Sequence, residues 1–226
     1  MTVDTAIKER KTEKVLAEKP WPIHKNDAEL KALASALLDL AAMAPYHYPC
    51  SRYHTKNKTL TSCLPFRIYV LDTKNCRLVS EYITSKKIIA GKIQNMLDAA
   101  DLLFMVTWLP EESVTTSKDL ATMRSENIPF EGSLKNMEHI AAASAAVQNL
   151  LVGATERNIP NYWSSGGVLR KKELRNLLDI PLDEILLGGI FMFPEDSADK
   201  GAEIKFGAHR ANGKEINTWS RWTDLS

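Results

Sequence analysis

Arg10, Lys11, Thr12 and Lys14 place three cations and a hydroxyl within five consecutive positions. On a helix Arg10 and Lys14 would share one face, where like charges four residues apart are mildly unfavourable. An anion such as a phosphate relieves that repulsion, and Thr12 adds a hydroxyl donor. The alternative is a solvated first helix in which Glu9 and Glu13 pair with the lysines, and composition alone favours it.

A second stretch, "NYWSSGGVLRKKELRNLL" from Asn161 to Leu178, sets Ser164, Ser165, Gly166 and Gly167 between an aromatic pair and an amphipathic run. Such small side chains let something bulky approach the backbone. Leu169, Leu174, Leu177 and Leu178 are spaced for one helical face, which predicts a helix whose free N–H groups point back at the same spot. The segment is either a loop capping a helix or a surface for a flat, electron-rich ligand.

A third, "YHYPCSRYHTKNK", brings His47, Cys50 and His54 together, with Cys63 further on. Two cysteines and two histidines can make a zinc tetrahedron, but this spacing matches no usual finger or ribbon. A loop lining a pocket is the better reading, and no metal is assigned. The sequence contains no nucleophile elbow, HExxH, P-loop or GxGxxG, so acid–base and nucleotide-fold chemistry have no motif to rest on.

The elements that must position these residues can be read from periodicity. Ala6 to Leu16 is expected to be a short charged helix, broken by the prolines of "KPWPIHKND". Asn26 and Asp27 offer a cap, with Glu29 as capping-box partner, for a helix striped by Leu30, Leu33, Ala34, Leu37, Leu38 and Ala41. Pro45 is expected to end it. Residues 46–64 form an inserted polar and aromatic loop. "FRIYVLD" (66–72), "LLFMVTW" (102–108) and "EILLGGIFMF" (184–193) are strands, the latter two buried on both faces. Residues 85–100 are helical in period, 110–135 lack periodicity and are taken as a mobile flap, and Asn136 opens a long Ala-rich helix to about Arg157. A helix apolar around much of its circumference is central or an oligomer contact. The fold class is α+β, in one domain over 1–226, with a dimer suggested by that helix.

With 226 residues, 44% hydrophobic and 25% charged, the chain is expected to be soluble and globular. A net charge of +1 argues against nucleic acid as a main partner. Cys50, Cys63 and Cys76 contain no CxxC and leave an odd thiol, which disfavours a disulfide framework and fits a reducing compartment. The polar N-terminus and the absence of any ~20-residue apolar run predict no membrane span and a cytoplasmic protein.

Taken together, these pieces resemble the nitroreductase family of FMN oxidoreductases over nearly the whole chain. "AIKERKTEKV" is similar to the family's N-terminal arginine–basic–serine–x–basic stretch, "LLDLAAMAP" to the end of its next helix, and "TSCLPFRIYVLD" to Asn-x-Gln-Pro-Trp plus a strand. "KIQNMLDAADLLFMV" resembles its helix-then-strand passage. "AAASAAVQNLLVGATERNIPNYWSSGG" resembles its long central helix and flavin loop, and "ILLGGIFMF" the strand that follows. Tyr46 stands where the family usually has serine, Ser62 and Leu64 stand for its asparagine and glutamine, and Phe66 for its tryptophan.

The resemblance implies a mostly antiparallel central sheet flanked by helices, a homodimer, and FMN held at the subunit interface. It implies hydride transfer from NADH or NADPH and reduction of nitroaromatic, quinone or related acceptors. It places FMN contacts on Arg10, Lys11, Thr12, Lys14, Pro45, Tyr46, Ser62, Leu64, Ser164, Ser165, Gly166 and Gly167. Arg210 is preferred over Lys205 and Lys214 as a late phosphate cation. Lys14 would stabilise the reduced flavin, and no side chain is assigned as acid or base, since the cofactor carries the chemistry. Two alternatives keep the fold: a flavin-consuming or reductive-dehalogenating enzyme, and a non-catalytic flavin-binding dimer.

Overall fold

The computed structural model describes residues 1–51, 60–111, 131–209 and 212–223. Most of the expected flap and the middle of the insertion lie outside them, as does Arg210.

The N-terminus forms α1 (Val3–Glu9), capped by Thr2, and then β1 (Glu13–Leu16). The helix expected through Leu16 therefore stops short. Val15 and Leu16 are buried in the core, and pairing with a later strand outweighs the weak local preference for helix. Next comes α2 (Asp27–Ala42), with the expected capping box between Asn26 and Glu29. It ends at Met43, before Pro45.

β2 (Phe66–Asp72) falls where expected. α3 (Thr73–Ser85) follows without a gap, because the Asp72 side chain accepts from the Asn75 N–H and turns strand directly into helix. Of the helix read over 85–100 only α4 (Lys92–Ala99) is present, and α3 before it was not anticipated. β3 is Leu102–Trp108. α5 (Leu134–Glu156) is capped by Ser133 instead of Asn136. Asn136 lies inside its first turn, where its amide donates to the Glu131 carbonyl and accepts from the Glu111 N–H.

The stretch expected to be loop opens as β4 (Asn161–Ser164). A 3₁₀ turn (Gly167–Arg170) and a short α6 (Lys172–Leu177) follow. β5 (Ile185–Met192) and β6 (Glu203–Phe206) complete the strands.

One sheet has the order β2-β3-β5-β4 and the other pairs β1 with β6, and every pairing is antiparallel. β3 shows why its sequence is apolar throughout. Leu103 and Met105 enter the core formed with α3, α4 and β1. Leu102, Phe104 and Val106 enter the core formed with α2 and α5. Alternate side chains thus serve opposite layers. No described helix is long and apolar enough to cross a membrane.

Candidate functional site

Because the chain leaves α1 at Glu9 and becomes strand at Glu13, Arg10 and Lys14 do not share a helical face. They serve two neighbouring places instead. Arg10, Lys11 and Thr12 line a cavity of about 1070 Å³, closed on other sides by Thr155, Asn158 and Pro160 and by Phe206, Gly207, His209 and Lys214. Acids are present too: Glu9, Glu13 and Glu195 share the lining. Lys11 Nζ lies 3.2 Å from Glu13 Oε1 and 5.2 Å from the centre of the Phe206 ring.

Lys14 points elsewhere, with its Nζ 4.5 Å from the centre of the Tyr162 ring on β4. Its cross-strand partner is Lys205, which is paired with Glu203 at 2.7 Å. The hydrogen bond to Glu203 raises the Lys205 ammonium above its ordinary range. Lys92, in the first turn of α4, joins them. Repulsion from Lys205, then burial, then Lys14 hold its ammonium below the usual lysine range. Sequence reasoning did not pick out Lys92. The available signal was its place just after Gly91 at the start of an apolar-periodic run.

The Ser164–Gly167 loop lies beside this group. Gly166 (φ 100°) and Gly167 (φ 48°) occupy the left-handed region that favours glycine. A Cβ on Gly167 would rest 3.4 Å from Ile93 Cγ1, so the loop abuts the first turn of α4. That helix starts at Gly91 without a side-chain cap, and of its first N–H groups that of Ile93 donates to the Ala90 carbonyl at 3.2 Å. The loop is fixed from behind. Ser164 Oγ accepts from the Gly166 N–H at 3.2 Å. Arg170 donates to the Ser165 carbonyl at 2.6 Å and the Leu187 carbonyl at 3.0 Å, and also to that of Leu186. β4 approaches β5 so closely that a Cβ on Gly188 would come within 2.4 Å of the Ser164 carbonyl oxygen.

The other predicted contacts are elsewhere. Tyr46 Oη is 3.4 Å from Cys63 Sγ, and neighbouring His47 is 3.3 Å from Glu138 in the second turn of α5. Leu64 donates its N–H to Ser62 Oγ. The buried Arg67 guanidinium holds this stretch by donating to the carbonyls of Ser62, Leu64 and Phe66 at 2.8, 2.7 and 2.8 Å. Tyr46, Ser62 and Leu64 therefore gather with His47 on the Glu138 side of α5, whereas the cavity is lined by Thr155 near its end. At 1.5 Å per residue, Glu138 and Thr155 are about 25 Å apart along the axis. The structure divides the first set between two neighbouring places, Arg10, Lys11 and Thr12 at the cavity and Lys14 with the Ser164–Gly167 loop, and sets both apart from Tyr46, Ser62 and Leu64. Of the late cations, Lys214 lines the cavity and Lys205 stands beside Lys14.

No protein-family model matches the sequence, and no curated protein does. Solved structures do match. A nitroreductase family protein from Clostridium novyi NT is 18% identical, with a TM-score of 0.53 over 87% of this chain and 88% of that one. A nitroreductase with bound FMN from Bacteroides fragilis NCTC 9343 is 16% identical, with a TM-score of 0.52 over 94% and 97%. A nitroreductase-like family protein from Bacillus cereus is 17% identical, with a TM-score of 0.51 over 85% of each chain. The chain has the nitroreductase-like α+β fold.

Proposed function

We propose that two copies of this chain bind FMN between them and use NADH or NADPH to reduce a nitroaromatic, quinone or related acceptor. The observation that carries this reading is the convergence of Lys14, Lys92 and Lys205 and the first turn of α4 on a glycine-rich main-chain edge.

The donor set fits the group. A phosphate needs cations and hydroxyls, and the cavity offers Arg10, Lys11, Thr12 and Lys214, with Arg210 as a further cation from outside the described residues. The polar edge of a flavin needs positive charge at one rim and close, unobstructed backbone at another. Lys14 with its lysine neighbours supplies the first, and Ser164 to Gly167 the second. Bound FMN supplies the hydride and electron chemistry, while the protein binds, orients and tunes. Arg170 holds the Ser165 carbonyl and Ser164 Oγ takes the Gly166 N–H, so the loop is presented in one geometry.

A second copy is part of the proposal because Tyr46, Ser62 and Leu64 gather around the Glu138 side of α5, and Glu138 is about 25 Å along the axis from Thr155 of the cavity. In a pair, one chain's cationic end would meet the other chain's aromatic end. Supporting this, Met43, Leu134 and Met137 near Tyr46, Ser62 and Leu64 are 74%, 58% and 58% exposed. Fold likeness to a nitroreductase crystallised with FMN adds further support.

The test is to load purified protein with FMN and titrate it anaerobically with NADH and with NADPH. Bleaching of the flavin bands by at least one of them is the expected outcome. Flavin that is retained but never reduced would favour the non-catalytic binder, for which the missing amide at Leu64 is the specific argument. A protein unable to take up FMN overturns the reading.

A further inference from the structure

Cys50 and Cys63 stand near the two ends of the insertion in sequence, and the fold brings them back together. The Cys50 N–H donates to the Cys63 carbonyl at 2.9 Å. A direct backbone N–H···O=C bond between two segments puts their Cα atoms roughly 5–6 Å apart, within the span of a disulfide. Both sulfurs stay on this neck. Cys50 Sγ donates to the Ser62 carbonyl at 3.5 Å, and Cys63 Sγ is 3.4 Å from Tyr46 Oη. Arg67 Nη2 is 4.0 Å from Cys50 Sγ while also donating to Ser62. The two thiols differ in access, since Cys63 is exposed and Cys50 buried, and both are reduced here. Cys76, the third thiol, is fully buried, hydrogen-bonded to Leu71 and away from this neck.

We propose that Cys50 and Cys63 are a redox-active pair: Cys63 takes the first bond from a small-molecule disulfide, and Cys50 resolves it to an intramolecular disulfide. In the first step the Cys63 thiolate attacks one sulfur of the oxidant, here glutathione disulfide. A mixed disulfide forms and one glutathione leaves. In the second, Cys50 sulfur attacks Cys63 sulfur and the second glutathione leaves. The two thiol protons go to the two glutathiones, so the protein loses two electrons and two hydrogens and the oxidant gains them.

The order of attack follows from the surroundings. Burial raises the Cys50 thiol above its ordinary value, and the nearby Arg67 charge offsets only part of that. Cys50 is thus a poor first nucleophile, but once Cys63 carries the adduct Arg67 stands ready beside the attacking sulfur. The bond would make covalent a pairing that hydrogen bonds now hold, at the segment that carries Ser62 and Leu64. This inference does not depend on flavin binding.

The full-length protein is incubated with glutathione disulfide and mapped by mass spectrometry without reduction. A Cys50–Cys63 cross-link within one chain, removed by dithiothreitol with Cys76 still free, is expected. Cys50→Ser should hold one stable glutathione on Cys63, and Cys63→Ser should stay unmodified. Wild-type protein that accumulates glutathione adducts without the cross-link, joins two chains through Cys63, or does not react would overturn the proposal. So would a Cys63→Ser variant modified at Cys50 as fast as the wild type is at Cys63.

Discussion

Lys14 is held against an aromatic ring, and among the described residues no carboxylate lies within ion-pair distance of it. Glu203 is occupied by Lys205, so the positive charge beside the Ser164–Gly167 loop is not cancelled locally. A hydrogen bond to a charged group is worth about 1.5–3 kcal/mol, or roughly 30–65 mV for a two-electron couple. Lys14→Ala is therefore expected to lower the midpoint potential of the FMN-loaded protein by about that much. Circular dichroism should be unchanged. An unaltered potential would transfer the role to Lys92 or Lys205. The cationic character of residues 10–14 could be read from residue type alone, and so could the bare backbone at 164–167. Lys92 carried only the faint signal of its place after Gly91, because its relevance depends on Gly167 docking against Ile93, a contact between segments far apart in sequence.

Elements with a strong periodic signal were legible almost to the residue. β2 and β3 fall on the predicted stretches, and the Asn26–Glu29 capping box starts α2. The misreadings arose where tertiary pairing decides. Glu13–Leu16 has little intrinsic strand character in its charged half, yet β6 supplies a partner and the core takes Val15. α3 was missed because Asp72 ends one element and caps the next, leaving no turn residues to mark the change. β4 was hidden by its shortness and by the serines and glycines that follow. Among the described residues it is an edge strand paired only to β5, and that pairing needs the hydrogen of Gly188. Gly188→Ala should force the strands apart and cost about 1–3 kcal/mol in urea unfolding, as overpacked sites do. Full wild-type stability in that variant would mean the close approach at Ser164 is not required.

For the molecule as a whole, the long Ala-rich helix organises the site. The sequence already marked α5 as central or as an oligomer contact, and the fold makes it central. Ala143, Val147 and Leu150 are fully buried, whereas Leu134 and Met137 stay exposed at its start. A second chain is the partner the proposed site needs at that end. Leu134→Glu combined with Met137→Glu is expected to give a monomer by light scattering, and that monomer should release FMN. A monomer that keeps full flavin occupancy would refute the shared site.

The length of α5 carries a genetic implication as well. If each crevice borrows one wall from either end of that rod, a lesion at Lys14 and a lesion at Leu64 injure different halves of the same crevice. Mixed pairs built from one chain of each kind would hold one doubly damaged crevice and one wholly sound one. Lesions at opposite ends would then rescue one another, whereas two at the same end never would.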